Sequence, residues 1–509
     1  MKKNGQKKIF TNAIALYVRL AISTIVGIFT SRIILDTLGV ADYGIYNIVG
    51  GVIVMANFLN ASMAGATTRF ITYDLGRVDL KSQKETFTIA LIAHIIIALI
   101  VLVLGETIGL WFVNTQLDYP ENRFVAVQWV YQTTILSMIV SITQVPYNAS
   151  IIAHEKMGIY AYIEILNSIL KLGIVYILYI VSADRLIIYS ILVLIVSVFI
   201  AILYRVYCVR NFEETKACRY FNVEKFKAIL SFSGFDLYGN ACVVVSNQFV
   251  NIVINQFFGV LLNAASGIAS MVNGIVASFS GNVVQAFKPQ ITKQYAVNNI
   301  YEMRCLIDNA LKFSIFIMSC MSIPLIFEMD FIMKLWLKEV PKYAPDFCKI
   351  MLIGNLFRIV NNIILGGIHA TGRIKMLSFL SGTLYLLQIP LMYLILHYVA
   401  NPVIPYWVVV INMVIIVFVD VVILKHNIPQ ISIKEISYSI MKTLIVIFLS
   451  VIPCYIVNSC LHSCFIRVIC TTLGYIIPAL LIASVILLTK RERHNMILLL
   501  RKKIGLYGK

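Results

Sequence analysis

The chain opens with IFTNAIALYVRLAISTIVGIFTSRI (Ile9–Ile33), turns through LGVADYG (Leu38–Gly44), and runs on as IYNIVGGVIVMANFLNASMAGATT (Ile45–Thr68). The first run holds 25 residues, enough to cross the roughly 30 Å hydrocarbon core of a bilayer as a helix. The corner is polar, and the second run is apolar again. Arg19 falls near mid-depth of the first span, where an ionised side chain costs about 2.5–3.5 kcal/mol on the insertion scale. A membrane hairpin with a deep cation hints at an anionic passenger.

Composition agrees with that hairpin over the whole chain. Of 509 residues, 60% are hydrophobic and 13% charged, and the mean hydropathy is +0.87; soluble domains are about 25% charged. Long apolar runs satisfy their backbone in lipid as helices, not as a barrel. The basic N-terminus precedes an apolar run too long for a signal peptide, so it is expected to be a retained first helix. The ten cysteines show no CxxC or Cys/His metal spacing and read as small packing residues.

Apolar runs between charged or Pro/Gly breaks predict fourteen spans, centred near residues 21, 56, 98, 138, 170, 198, 245, 275, 317, 357, 386, 413, 449 and 477. Spans 2, 8 and 10 are the least apolar. With the N-terminus inside, thirty of the 42 Lys and Arg fall on the cytoplasmic side. Only Arg32, Arg123, Arg185, Lys334, Lys338, Lys342, Lys349 and Arg467 fall opposite. This asymmetry predicts both termini in the cytoplasm. The net charge of +18 is distributed as a membrane protein distributes it, and no nucleic-acid partner is implied.

A shift of 220 residues aligns Ile34, Gly39, Ala66, Ile71 and Thr72 with Ile254, Gly259, Ala286, Ile291 and Thr292, and a shift of 219 aligns Lys156-Met157 with Lys375-Met376. The expected architecture is therefore an all-α integral membrane protein of about fourteen transmembrane helices. Two six-helix lobes, 1–218 and 219–436, would be related by a pseudo-two-fold along the membrane normal. Spans 13 and 14 (437–489) and a basic cytoplasmic tail (490–509) follow. No extramembrane segment is long enough for a nucleotide-binding or catalytic domain. Between Met329 and Cys348, Phe331, Ile332, Leu335 and Trp336 would form the stripe of a short interfacial helix.

Leu38-Gly39, Asp42-Tyr43-Gly44-Ile45-Tyr46-Asn47 and Gly65-Ala66-Thr67-Thr68-Arg69-Phe70 resemble the opening of the O-antigen flippase (polysaccharide transport) family. That family belongs to the multidrug/oligosaccharidyl-lipid/polysaccharide exporter superfamily. Leu335-Trp336-Leu337 and Pro341-Lys342-Tyr343-Ala344 resemble a further stretch of it. The resemblance implies a bacterial cytoplasmic-membrane transporter. Its cargo would be an undecaprenyl-diphosphate-linked oligosaccharide, an O-antigen, capsule or exopolysaccharide repeat unit, moved from inner to outer leaflet by alternating access. A polysaccharide polymerase and other assembly proteins would be its partners, beside membrane lipids. No cofactor is implied.

No HExxH, GxSxG or Walker-type loop is present, and the seven histidines are scattered. Intramembrane charges remain, and such charges mark cavities or relays. Arg19, Arg69 and Arg358, then Arg32, Lys171 and Lys312, are the candidate substrate-binding residues, since Arg grips phosphate bidentately and Lys adds a point charge. Glu164, Asp236 and Asp420 are the candidates for ion coupling. Arg32 and Asp36, four apart, could pair directly. The alternatives are a multidrug/cation antiporter of the same superfamily, a lipid II flippase, and a multi-pass glycosyltransferase or polymerase using Asp36 or Asp42.

Overall fold

Gly39 sits at the first corner with φ +81 and ψ 166, a left-handed conformation that a side chain disfavours, and there it breaks the first helical run. The computed structural model describes residues 2–54, 57–116, 119–181, 183–216, 222–337, 339–462 and 464–487. The basic tail 490–509, Arg219 and Lys338 lie outside them. The described residues are helical almost throughout, with no strand among them. In order the helices are α1 (Lys2–Val54, broken at Gly39), α2 (Asn57–Arg77), α3 (Leu80–Leu104), α4 (Leu110–Gln116), α5 (Phe124–Ala153), α6 (Met157–Ile180), α7 (Arg185–Asn211) and α8 (Val223–Phe258). Then come α9 (Val260–Ala296), α10 (Ile300–Trp336), α11 (Ala344–Thr371), α12 (Lys375–Tyr398), α13 (Ile404–Asn427), α14 (Ile433–Cys460) and α15 (Phe465–Ile486).

Among the described residues thirteen helical segments are long and apolar enough to cross a membrane. The expected second span is the one missing from that set. It runs either side of residues 55–56, outside the described residues, and its α2 part is rich in Gly, Thr and Asn. The backbone repeats its breaks at the offset found in the sequence. Gly259, between α8 and α9, also has φ +81, and Val78 and Asn298, just past α2 and α9, both have φ 57.

Compactness divides the chain differently from the expected boundary at 218. One unit is Met1–Ala241 with Ala286–Asn299 and His369–Ser378; the other is Cys242–Gln285, Ile300–Ile368 and Phe379–Lys509. The start of α8, the end of α9 and the α11–α12 corner thus pack with the N-terminal half. Among the described residues no separate interfacial helix forms between Met329 and Cys348. Residues 331–336 are the last turns of α10, which at 37 residues is about 55 Å long and outruns a ~30 Å core.

In the first unit, Ile174, Val175 and Leu178 of α6 pack with Ile200 and Tyr204 of α7 and Ile34 of α1. Val127, Val130 and Tyr131 of α5 pack against Val49 and Leu186. In lipid such contacts act through close packing more than through escape from water. Leu99, Val103 and Phe199 stay exposed, as do Phe418, Phe448 and Leu481 in the second unit, which suits a lipid-facing surface. Arg123 pins the corner after Gly39 by gripping both Asp42 and Asp184, the latter at 2.6 Å.

In the second unit the C-terminal helices are riveted to α10 by Glu328, a carboxylate only 1% exposed. It accepts from Arg467 Nη2 (2.9 Å) and Nε (3.1 Å), Asn458 Nδ2 (2.9 Å) and Thr471 Oγ1 (2.8 Å). A buried carboxylate so fully satisfied holds three helices in one register.

Candidate functional site

α2 delivers Arg69 into a polar cluster of the first unit. Its guanidinium lies over Phe70 (4.5 Å) and Tyr73 (4.8 Å) and donates from Nη2 to the Ala370 carbonyl at 3.3 Å. Gly372 makes this approach possible: its φ is +76, and a Cβ there would stand 2.6 Å from Nη2 of Arg69. Across the cluster Asp236 of α8 accepts from Asn240 at 3.1 Å and faces His369 Nε2 at 3.5 Å. Lys288 of α9 acts electrostatically on both Asp236 and His369. Lys288 is therefore the cation near the Asp236 carboxylate, and Arg69 and Lys288 both act on His369. Three buried polar atoms here, Arg69 Nε, His369 Nδ1 and Thr67 Oγ1, have no hydrogen-bond partner among the described residues.

Further ties surround the cluster within the same unit. Lys225 Nζ donates to Ser82 Oγ (2.6 Å) and Asp74 (3.3 Å). Glu155 receives Lys293 at 2.7 Å and Gln290 at 3.1 Å. Tyr73 and Tyr295 rings lie 6.4 Å apart, and a Cβ on Gly76 would come 2.9 Å from that of Ala296. Every tie joins the N-terminal half to 222–241, 286–299 or 369–378. All lie at the end that the charge pattern assigns to the cytoplasm.

A second cluster of this unit joins α1, α6 and α7. Arg19 Nη1 donates to the Tyr160 hydroxyl at 3.1 Å, with its guanidinium 5.1 Å from the ring centre. Tyr204 donates to Glu164 Oε1 at 2.9 Å, and the Tyr160 and Tyr204 rings are 6.4 Å apart. Arg19 of α1 and Glu164 of α6 thus share a tyrosine pair. Arg32 and Lys171 are exposed. Among the described residues no Arg32–Asp36 ion pair is present, and both residues are exposed.

In the second unit Asp420 of α13 is fully buried and accepts from Asn361 Nδ2 and Ser381 Oγ, each at 2.5 Å. Among the described residues it has no cation partner. Arg358 of α11 is half-buried, acts electrostatically on the Tyr385 hydroxyl, and has no carboxylate partner among the described residues. Lys312 is occupied: it pairs with Asp308 one turn away at 2.5 Å.

The structure therefore brings Arg69 to Asp236 through His369, and Arg19 to Glu164 through two tyrosines. Sequence reading missed Lys288 and His369. The 220-residue shift carried a signal for Lys288, since it sets that residue opposite Thr68, next to Arg69. His369 left none; its role depends on the α11–α12 corner folding back. Among the described residues no group of three or more His, Cys, Asp or Glu is placed to hold a metal ion.

The MatE family profile matches residues 237–394, and no curated protein matches the chain. Solved structures do. A multidrug resistance MATE family transporter of the MOP superfamily, in an outward-facing conformation, is 14% identical over 84% of this chain and 97% of that one, with a TM-score of 0.73. A MATE structure in a bent conformation is 14% identical over 86% and 97%, with a TM-score of 0.72. A MOP superfamily transporter from Pyrococcus furiosus, described as having a binding pocket of reverse polarity that suggests a different function, is 14% identical over 84% and 96%, with a TM-score of 0.69. The chain is a multi-pass helical membrane protein with the fold of the MATE transporters.

Proposed function

We propose that this chain is an ion-coupled exporter working by alternating access, with lobes 1–218 and 219–436 rocking about a central path. The observation that carries it is the likeness along 84% of the chain to a MATE transporter. The ties around Arg69, Asp236 and Lys288 support it, since they would be the closed cytoplasmic gate and would have to part for loading. Asp420 is the coupling carboxylate in this reading. A buried acid held by Asn361 and Ser381 with no cation beside it takes a proton or a metal cation to balance its charge. The asymmetry of Lys and Arg supports both termini in the cytoplasm in this reading.

For the cargo, likeness alone favours a drug, because one similar structure is a multidrug resistance transporter. A lipid-linked, diphosphate-bearing oligosaccharide is the second reading. It is favoured by Arg32, Lys171 and Arg358, none of which has a carboxylate partner among the described residues. The catalytic rival loses ground, since Asp42 is taken up by Arg123. Two assays on one strain separate the cargoes: surface-glycan export and efflux of a cationic dye, each normalised to folded protein. Loss of glycan export on deletion, with dye efflux unchanged, supports the lipid-linked cargo. Loss of dye efflux alone supports the drug exporter, and loss of neither overturns the transporter proposal.

A further inference from the structure

At the start of α10 and α14, in the second unit, a cavity of about 280 Å³ opens between the two helices. Positions 304, 308 and 312 of α10 line it from one side, and 435, 439 and 442 of α14 from the other. These spacings of three and four put each set on one helix face. The charges do not cancel: Arg304 pairs with Glu435 at 3.1 Å and Lys312 with Asp308 at 2.5 Å. Ser439 donates to the other oxygen of Asp308. Lys442 is left with the face of Tyr438, 4.3 Å from its ring, and has no carboxylate partner among the described residues. The walls deeper in, Ile307 and Ile436, are buried and apolar.

We infer that this cavity binds the phosphate headgroup of an anionic membrane lipid, held by Lys442 and Arg304. Its volume falls just under the ~300 Å³ lower end of small-molecule pockets, a fit for a headgroup and not for a whole drug-sized ligand. The charge pattern sets it at the cytoplasmic interface, where basic pockets between membrane helices recognise acidic headgroups. The lipid would staple α14 to α10 and is not the cargo.

The test is native mass spectrometry of the full chain released from nanodiscs of phosphatidylglycerol and phosphatidylcholine. The wild type is expected to retain phosphatidylglycerol over phosphatidylcholine. Lys442→Gln, and separately Arg304→Gln combined with Glu435→Gln to avoid stranding a carboxylate, should lower that retention about five- to tenfold. The exposed Lys425→Gln should leave it unchanged. Equal retention by wild type and both cavity variants overturns the proposal. So does displacement of the lipid by millimolar inorganic phosphate, which would mark a free-anion site.

Discussion

At Gly372 two demands meet: a left-handed φ of +76 and the Arg69 guanidinium where a Cβ would go. Gly372→Ala is expected to lose about 1–3 kcal/mol of stability through strain and overpacking, read as a lower thermal midpoint of the purified protein. Gly27→Ala, with nothing within 4 Å of its Cβ and a helical backbone, should be neutral or slightly stabilising in the same measurement. At Arg19 the contact is with Tyr160. Arg19→Ala should cut export about tenfold or more while folded protein persists, and Arg19→Lys should restore only part, since charge survives without the planar fork. Full export by Arg19→Ala would remove that residue from the transport path. The depth of Arg19 was legible from the apolar run around it. Its tyrosine partner was not, because spacing along one chain says nothing about which neighbouring helix faces it.

Among the elements, α10 carries the two features that hold the C-terminal hairpin. Arg467→Ala strands the buried Glu328 carboxylate, and a loss of about 3–5 kcal/mol is expected on thermal unfolding. Arg32→Ala, exposed, should stay within about 0.5 kcal/mol. Asp420→Asn should leave the protein folded and able to exchange cargo across the membrane, yet unable to accumulate it against a gradient; gradient-driven uptake unaffected by the substitution would move coupling elsewhere. Helix existence and order were readable because long apolar runs have one solution in lipid. The end of α10 was not. An amphipathic stripe at 331–336 fits an interfacial helix and an overhanging helix end equally well, and only the unbroken backbone from Ile300 decides between them. The corners at Gly39 and Gly259 were legible because one residue type meets that backbone at low cost.

On the scale of the whole molecule, the sequence shift located the paired backbone breaks at Gly39 and Gly259 and set Lys288 opposite Thr68, but the contacts that gather Arg69, Asp236, Lys288 and His369 are tertiary and could not be read from it. Those contacts carry the central claim that the cytoplasmic end opens and shuts during transport. Gly76 and Ala296 give the most direct probe, because a Cβ at the first would lie 2.9 Å from that of the second. This is close to the ~3.5–4.5 Å span of a disulfide, reached by a small shift. In a background without the native cysteines, Gly76→Cys with Ala296→Cys should cross-link on mild oxidation. Export should then stop, and a reductant should restore it. Full export by protein shown to be cross-linked would contradict the account.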